Sequence, residues 1–176
     1  NDYADHLYGQ SGADVIYGED GADDLVGAGG NDEIHGGDGE DVIYGGDGDD
    51  SLYGEGDDDS LYGDGDDDEL WGGSGDDHLE GYDGDDVLNG GSGSDSLYGN
   101  GGADILCDGG GADYYNGGIG LDADTLWADY TGSEPTSSVM GGLMGGTCGD
   151  SQWGADWVTD RHSCTLTTAQ KPAVCD

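Results

Sequence analysis

The sequence predicts an all-β protein: a parallel β-roll (a β-solenoid) over residues 1–127 and a small, disulfide-stapled, β-rich cap over residues 128–176. The main observation is a period of nine. Residues 9–116 divide into twelve nine-residue units without an insertion, and the sixth position of every unit is aspartate. Glycine fills 41 of the 176 positions, whereas proline occurs twice and phenylalanine is absent. Such periodicity is typical of repeat proteins whose units stack on their neighbours, and not of a disordered acidic linker.

Each position of the unit has a structural role. A clean example is Gly-Gly-Asp-Gly-Glu-Asp-Val-Ile-Tyr at residues 36–44. The glycines are expected to let the backbone adopt positive φ and turn tightly. The last three residues are expected to form a short strand, with position eight facing inward and positions seven and nine facing outward. Because position eight is Ile or Leu in eleven units and Tyr115 in the last, the inward residues should form a continuous core.

Two units make one coil, so residues eighteen positions apart stack at the strand spacing of about 4.8 Å. This stacking arranges the sixth-position aspartates in two columns, one along each edge of the roll. The first column contains Asp14, Asp32, Asp50, Asp68, Asp86 and Asp104. The second column contains Asp23, Asp41, Asp59, Asp77, Asp95 and Asp113.

The columns predict a metal. Carboxylates stacked this closely repel one another unless a hard cation lies between them. Ca²⁺ prefers six to eight carboxylate and carbonyl oxygens, whereas Mg²⁺ demands a tighter octahedron. Five gaps in each column predict about ten calcium ions. Asp5, Asp122 and Asp124 are candidates to extend the series.

The repeat resembles that of the RTX (repeats-in-toxin) family, whose nonapeptide is G-G-x-G-x-D-x-U-x. The resemblance covers about residues 1–127. It implies a right-handed parallel β-roll in which sixth-position aspartates and turn carbonyls hold Ca²⁺ between successive turns. Asp57 and Asp66 replace the fourth-position glycine, and Asp108 replaces a first-position one. We expect distorted turns and altered ion sites at these three positions.

The charge of the chain limits its partners. There are 42 acidic and two basic residues, for a formal net charge of −40, and only five of the acids follow Tyr130. Nucleic acid is not expected as a partner because it carries the same sign of charge, and no stretch is apolar enough for membrane insertion. Since so many like charges oppose a compact state, we expect the array to be unfolded at cytosolic calcium. It should fold at the millimolar calcium found outside cells.

The outward ninth positions are rich in aromatic residues. One face carries Tyr17, His35, Tyr53 and Trp71 on consecutive rungs. The other face carries Tyr8, Val26, Tyr44, Tyr62, Glu80 and Tyr98. Such ladders stabilise neighbouring strands, and contiguous exposed aromatic surface also marks contact sites. Lateral packing against another chain and contact with a cell surface or polysaccharide therefore stay open.

The period is lost after Tyr130. Cys148, Cys164 and Cys175 lie in this tail, and Cys107 lies near the end of the repeats. An even number of cysteines favours disulfides in an oxidising compartment, and four cysteines allow three pairings. The best strand candidate of the tail is residues 163–168.

Two other interpretations of the tail are weaker. Zinc could use Cys148, Cys164 and Cys175 with His162, but no C-x₂-C pair is present. Asp160, His162 and Ser163 contain the residue types of a catalytic triad without a nucleophile motif around them. We therefore expect no enzymatic activity.

Two classes of function remain. The first is a secreted, extracellular structural protein whose rolls assemble with themselves into a fibre, sheath or surface layer, through stacked roll ends and disulfides. The second is the calcium-folding module of a larger secreted toxin, hydrolase or adhesin. Four cysteines and the lack of a catalytic domain favour the first. Because Asn1 is not preceded by an initiator methionine, we expect a processed form or a fragment.

Overall fold

A computed structural model describes residues 3–107, 109–118, 124–127, 138–139 and 175 of the chain. Its first strands are β1 (His6–Tyr8), β2 (Val15–Asp20), β3 (Asp24–Gly29), β4 (Glu33–Asp38) and β5 (Val42–Asp47). The middle strands are β6 (Ser51–Gly56), β7 (Ser60–Gly65), β8 (Glu69–Ser74), β9 (His78–Asp83) and β10 (Val87–Ser92). The last strands are β11 (Ser96–Gly101), β12 (Ile105–Cys107), β13 (Tyr114–Asn116), β14 (Thr125–Trp127) and β15 (Ser138–Val139). None of these ranges contains a helix that is long and apolar enough to cross a bilayer.

The strands form two parallel sheets, as the period of nine predicts. The eight odd-numbered strands make one sheet and the seven even-numbered strands make the other, each in sequence order. From β1 to β13 along one sheet and from β2 to β12 along the other, paired residues are eighteen positions apart, for example Ile43 with Leu61 and Leu52 with Leu70. Consecutive units therefore alternate between the sheets, and two units complete one coil. The all-β parallel β-roll is confirmed.

The core is a single ladder of inward side chains between the two sheets. The residue at position eight is fully buried in every unit from Leu25 to Leu97, and Tyr115 continues this ladder in the last unit. The strands are longer than the sequence predicts, since most span six residues from position seven to position three of the next unit. The prediction of three-residue strands was wrong because the pairing continues through positions two and three of the next unit, as Glu55 with Gly73 and Gly56 with Ser74. The burial pattern alternates along them, and position one is the second inward position.

The spacing changes at the C-terminal end of the roll. β14 pairs with β12 so that Leu126 lies beside Leu106, a separation of twenty residues. β15 adds to the other sheet, where Val139 pairs with Tyr115. These two strands show that parallel pairing continues past the last nine-residue unit. Most of the expected cap, including residues 163–168, Cys148 and Cys164, lies outside the described residues.

One disulfide connects the tail to the roll. Cys107, at the end of β12, is bonded to Cys175, and both are buried. This pairing closes a loop with a sequence separation of 68 residues. Because Cys175 is bonded to another cysteine, it is not a zinc ligand, and that part of the zinc alternative was wrong. The other residues of the zinc and triad alternatives lie outside the described ranges.

Candidate metal columns

The sixth-position aspartates point into the roll, at its two edges. All twelve have their predicted places in the first and second columns, and the eleven from Asp23 to Asp113 are at most 3% exposed. Asp14, at the start of the first column, is half-buried. Each column is held together by backbone hydrogen bonds, because one carboxylate oxygen accepts from the main-chain N–H of the aspartate one coil earlier. Asp59 Oδ1, for example, accepts from Asp41 N at 2.8 Å, and Asp68 Oδ1 accepts from Asp50 N at 2.8 Å.

The second oxygen of most of these carboxylates has no hydrogen-bond partner in the protein. Eleven of the twelve Oδ2 atoms are buried without a hydrogen bond. They belong to Asp14, Asp23, Asp32, Asp41, Asp50, Asp59, Asp68, Asp77, Asp86, Asp95 and Asp104. A buried, unpaired carboxylate oxygen is costly, and native proteins rarely leave one without a partner. Repetition of the same orphaned atom in eleven successive units points to a ligand that all of them share.

Burial raises the pKa of eight of the twelve carboxyl groups. The hydrogen bond from the backbone opposes this rise, and the neighbouring carboxylates add to it. The pKa is raised to about 8 at Asp59 and Asp68. It is raised to about 7 at Asp95 and Asp104, and to about 6 at Asp41, Asp50, Asp77 and Asp86. Without a cation, the columns therefore resist full ionisation at neutral pH.

First-position glycines line the other side of each Oδ2 atom. A Cβ on Gly54 would collide with Asp59 Oδ2, and it would lie 2.6 Å from the carbonyl oxygen of Gly72 in the next coil. Gly18 is in the same relation to Asp23 and Gly36. Position one therefore needs glycine because the carboxylate and a carbonyl oxygen occupy the space that a side chain would fill.

This finding corrects the role predicted for some of the glycines. The first-position glycines from Gly9 to Gly99 do not have positive φ. Position two from Gln10 to Asn100 and position four from Gly12 to Gly111 have positive φ instead. Position two does so even where it holds a side chain, as at Glu55 (φ 78°) and Tyr82 (φ 77°). The glycine at position one thus serves close approach, and only those at positions two and four serve the turn.

The aspartates that replace the fourth-position glycine leave the roll intact. Asp57 and Asp66 have φ values of 72° and 73°, in the left-handed region that aspartate tolerates better than most residues. Pairing continues in register beside them, and Oδ2 of Asp59 and Asp68 is orphaned as in the other units. The fourth-position glycines have φ values of 106–154°, so the expected distortion of these two turns is limited to a smaller φ at the aspartate. Asp108, the third departure, lies outside the described residues.

These oxygens fit calcium. The eleven turns from Asp14 to Asp104 each offer one carboxylate oxygen without a hydrogen bond, and first-position glycines place backbone carbonyls beside it. Hard oxygen ligands from carboxylates and carbonyls are what Ca²⁺ takes. Within the described ranges, no group of three or more His, Cys, Asp or Glu side chains forms a metal cage. The candidate site therefore relies on main-chain oxygens and single carboxylates from stacked turns, not on a cluster of side chains.

The first column extends beyond the twelve units. Asp124 Oδ1 accepts from Asp104 N at 3.2 Å, and a Cβ on Gly117 would collide with Asp124 Oδ2. Asp124 thus has the place of a sixth-position residue in spite of the two extra residues before it. At the other end, Asp5 N donates to Asp23 Oδ1 at 2.6 Å, which puts Asp5 at the start of the second column. Asp122 lies outside the described residues.

A comparison with protein-family models agrees with this geometry. The model described as the RTX calcium-binding nonapeptide repeat matches residues 1–34, 26–61, 35–70, 62–97, 71–106 and 90–123. The chain belongs to this RTX family. RTX repeats of this kind bind calcium, and the buried carboxylates of the two columns fit that activity. A comparison with curated proteins found no match.

The outward ladders lie where the period predicts. Tyr17, His35 and Tyr53 stack with ring centroids 4.8 and 4.7 Å apart, and Tyr44 stacks on Tyr62 at 4.9 Å. Because these rings lie face to face, a ring inside the ladder presents its edge to solvent. Its faces are covered by its neighbours.

Sequence reasoning missed the carboxylates around the histidines. His35 Nδ1 lies 2.9 Å from Glu55 and Nε2 lies 3.0 Å from Glu33. Burial lowers the pKa of His35, but the hydrogen bonds to both glutamates outweigh it and raise the pKa above its usual value. The spacing contained this signal, since Glu33 is two residues before His35 on the same strand face and Glu55 is on the adjacent strand.

Proposed function

We propose that this chain is an extracellular RTX roll that folds when calcium fills its aspartate columns and that has no catalytic activity of its own. The observation that carries the proposal is the row of eleven buried Oδ2 atoms without a protein partner. A cation bound to these oxygens would neutralise the carboxylates and offset the free-energy cost of burying them. With about one ion for each gap in the columns, the roll would bind about ten.

Calcium concentration then decides whether the chain is folded. A ligand that binds only the folded state stabilises it increasingly as its concentration exceeds the dissociation constant. Low cytosolic calcium leaves the carboxylates uncompensated, whereas the millimolar calcium outside cells fills the columns. The Cys107–Cys175 disulfide supports the same location, because disulfides persist in oxidising compartments.

The test is a calcium titration of the full chain. Far-UV circular dichroism in EGTA should show a disordered chain, and addition of CaCl₂ should produce β structure in a cooperative transition. MgCl₂ at the same concentration is the control, and it should leave the chain largely disordered because Mg²⁺ demands a tighter octahedron. The number of bound ions is measured by elemental analysis after dialysis. An identical β signal in EGTA and in CaCl₂ would sink the proposal.

Self-association into a fibre, sheath or surface layer stays a prediction, with a module of a larger secreted protein as the alternative. The disulfide within the chain uses Cys107 and Cys175, so covalent joints between molecules would depend on Cys148 and Cys164. Negative-stain images with calcium and with EGTA, together with gels with and without reductant, separate the two. Calcium-dependent fibres or covalent ladders support assembly, and a monomer under all conditions supports the module.

The stacked aromatic rings bear on contact with a polysaccharide. Sugars bind aromatic side chains through exposed ring faces, but His35 has Tyr17 and Tyr53 on its two faces. This arrangement favours the interpretation that the ladder stabilises neighbouring strands, and it weakens polysaccharide contact through ring stacking.

A further inference from the structure

Asp113 differs from the other eleven sixth-position aspartates. Its Oδ2 atom accepts a hydrogen bond from the Tyr115 hydroxyl, with an oxygen–oxygen distance of 3.1 Å. Both residues are only 2% exposed, so this contact lies inside the roll. In the eleven other units the same atom is buried without a partner. The contrast concerns one oxygen atom in an otherwise repeated environment.

The difference has a cause in the sequence. Position eight is Ile or Leu in eleven units, and these side chains cannot donate a hydrogen bond. Tyr115 is the exception, and it pairs with Leu97 of the preceding coil, so that its ring continues the core ladder. Its hydroxyl extends beyond the length of a leucine and reaches the carboxylate two residues earlier. The unit that has a phenol in its core is therefore the unit whose carboxylate is satisfied.

The position of this pair in the roll matters as much as its chemistry. Asp113 is the last aspartate of the second column, and the nine-residue period stops after Asn116. An ion at this place would lack the next nonapeptide turn, which supplies oxygens to the ions before it. The first column continues to Asp124 instead, through the shifted pairing of β14. The two columns thus end differently.

We propose that the Tyr115 hydroxyl takes the place of a calcium ion at Asp113 and so terminates the second column. The phenol proton and a cation compete for the same carboxylate oxygen, and the phenol is fixed there by the core. The inference rests on the proposed function, because a terminator has meaning only if the other carboxylates take ions. It makes Tyr115 a residue that limits how many ions the roll binds.

The test counts ions in three proteins. Tyr115→Phe removes the hydroxyl alone, and with it the hydrogen bond to Asp113 Oδ2. This variant should bind one more Ca²⁺ per chain than the wild type at saturating calcium. Tyr98→Phe is the matched control: it removes an outward phenol from the neighbouring strand, and it should bind the same number as the wild type. An equal or smaller count for Tyr115→Phe than for the wild type overturns the inference.

A second variant and a direct structural observation keep the inference testable if Tyr115→Phe prevents folding. Tyr115→Leu gives the twelfth unit the core residue of most others, and it should also gain one ion. A calcium-bound crystal structure of the wild type decides the point without any variant. An ion within about 2.5 Å of Asp113 Oδ2 overturns the inference, and the hydroxyl at that place without an ion supports it. A wild type that binds no calcium would instead defeat the proposed function, so the two failures are distinguishable.

Discussion

The inside and the outside of the RTX roll follow different rules. Inward positions repeat almost without change, since each one touches its own equivalents one coil away in both directions. Outward positions vary freely, from Tyr53 to Glu80 to Asn89, because they meet only the neighbouring rungs and solvent. The difference teaches that a solenoid requires uniformity only where its turns are in contact. The costly groups, the unpaired carboxylates, are also on the inside, so folding and ligand binding depend on the same positions.

The largest expected effect comes from protonating the column aspartates of the calcium-free protein by lowering the pH. At eight of these aspartates the folded-state pKa lies between about 6 and about 8, above the ordinary value of 3.8. The folded chain therefore binds more protons than the unfolded chain in that window, and the stability of the calcium-free roll rises as pH falls. In EGTA, far-UV circular dichroism should show β structure growing between about pH 8 and about pH 5.

The control for this experiment is the same pH series in saturating CaCl₂, where the β signal should already be complete at pH 8. A calcium-free chain that stays disordered down to about pH 5 would show that carboxylate charge is not what opposes folding.

Two adjacent residues of β7 allow the stability contributions of the inward and outward sides of one strand to be compared. Leu61 is fully buried, whereas Tyr62 is a partly exposed outward residue that stacks on Tyr44. Leu61→Ala should lower the free energy of unfolding in calcium by about 2–5 kcal/mol, because it leaves a cavity in the core ladder. Tyr62→Ala should cost no more than about 1 kcal/mol, the range of a cross-strand pair. Thermal unfolding of both variants measures the gap, and equal losses would remove the distinction between inside and outside.

Two glycines of β6 test whether position one needs space for the neighbouring carboxylate, because neither glycine has positive φ. Gly54→Ala should lower the free energy of unfolding by about 1–3 kcal/mol, because the added Cβ collides with the Asp59 carboxylate. Gly56→Ala is the matched control. Its Cβ would lie 3.7 Å from the nearest atom, and Gly56 does not have positive φ. The control should be neutral or more stable by about 0.4–1 kcal/mol. If Gly54→Ala unfolds at the same temperature as its control, position one does not need glycine for this reason.

The smallest effect belongs to an outward pair. Glu55→Gln should lower the pKa of His35 toward its usual value, because one of the two hydrogen-bonded carboxylates loses its charge. Since the pKa of His35 is raised in the folded state, its contribution to stability is present below about pH 6.5 and is lost as pH rises through the folded value. The contribution should stay below about 1 kcal/mol.

An NMR titration of the His35 ring measures that pKa. Glu80→Gln, on the opposite sheet, is the control and should leave it unchanged. The idea fails if both substitutions have the same effect on His35.

The sequence predicted the features that repeat. The parallel roll, the inward ladder from Leu25 to Leu97, the two aspartate columns and the outward rungs all follow from one period, because stacking equivalent residues determines their neighbours. Features that occur only once in the chain cannot be predicted from the period. The shift that brings Asp124 into the first column depends on how two extra residues fold, and the Cys107–Cys175 pairing depends on a tail without periodicity.

Two errors have a common origin. Glycine was interpreted as a turn residue at every position of the unit, although Gly54 lies within strand β6 and faces a carboxylate. The same reasoning shortened the strands, because the glycine-rich positions one to three were counted as turn. Composition alone does not separate a glycine that needs positive φ from one that needs space, since both lack a side chain for different reasons.

The alternation of units between the two sheets constrains how a gene of this kind can change length. Loss or duplication of eighteen codons removes or adds one whole coil, and every other residue keeps its neighbours. Loss of nine codons preserves the reading frame and the motif, but it moves every later strand to the opposite sheet. Tyr44 and Tyr62 would then follow Tyr17 on one surface, and the two outward ladders would exchange partners from that point on. Length variants should therefore differ in steps of eighteen residues wherever the outward surfaces matter.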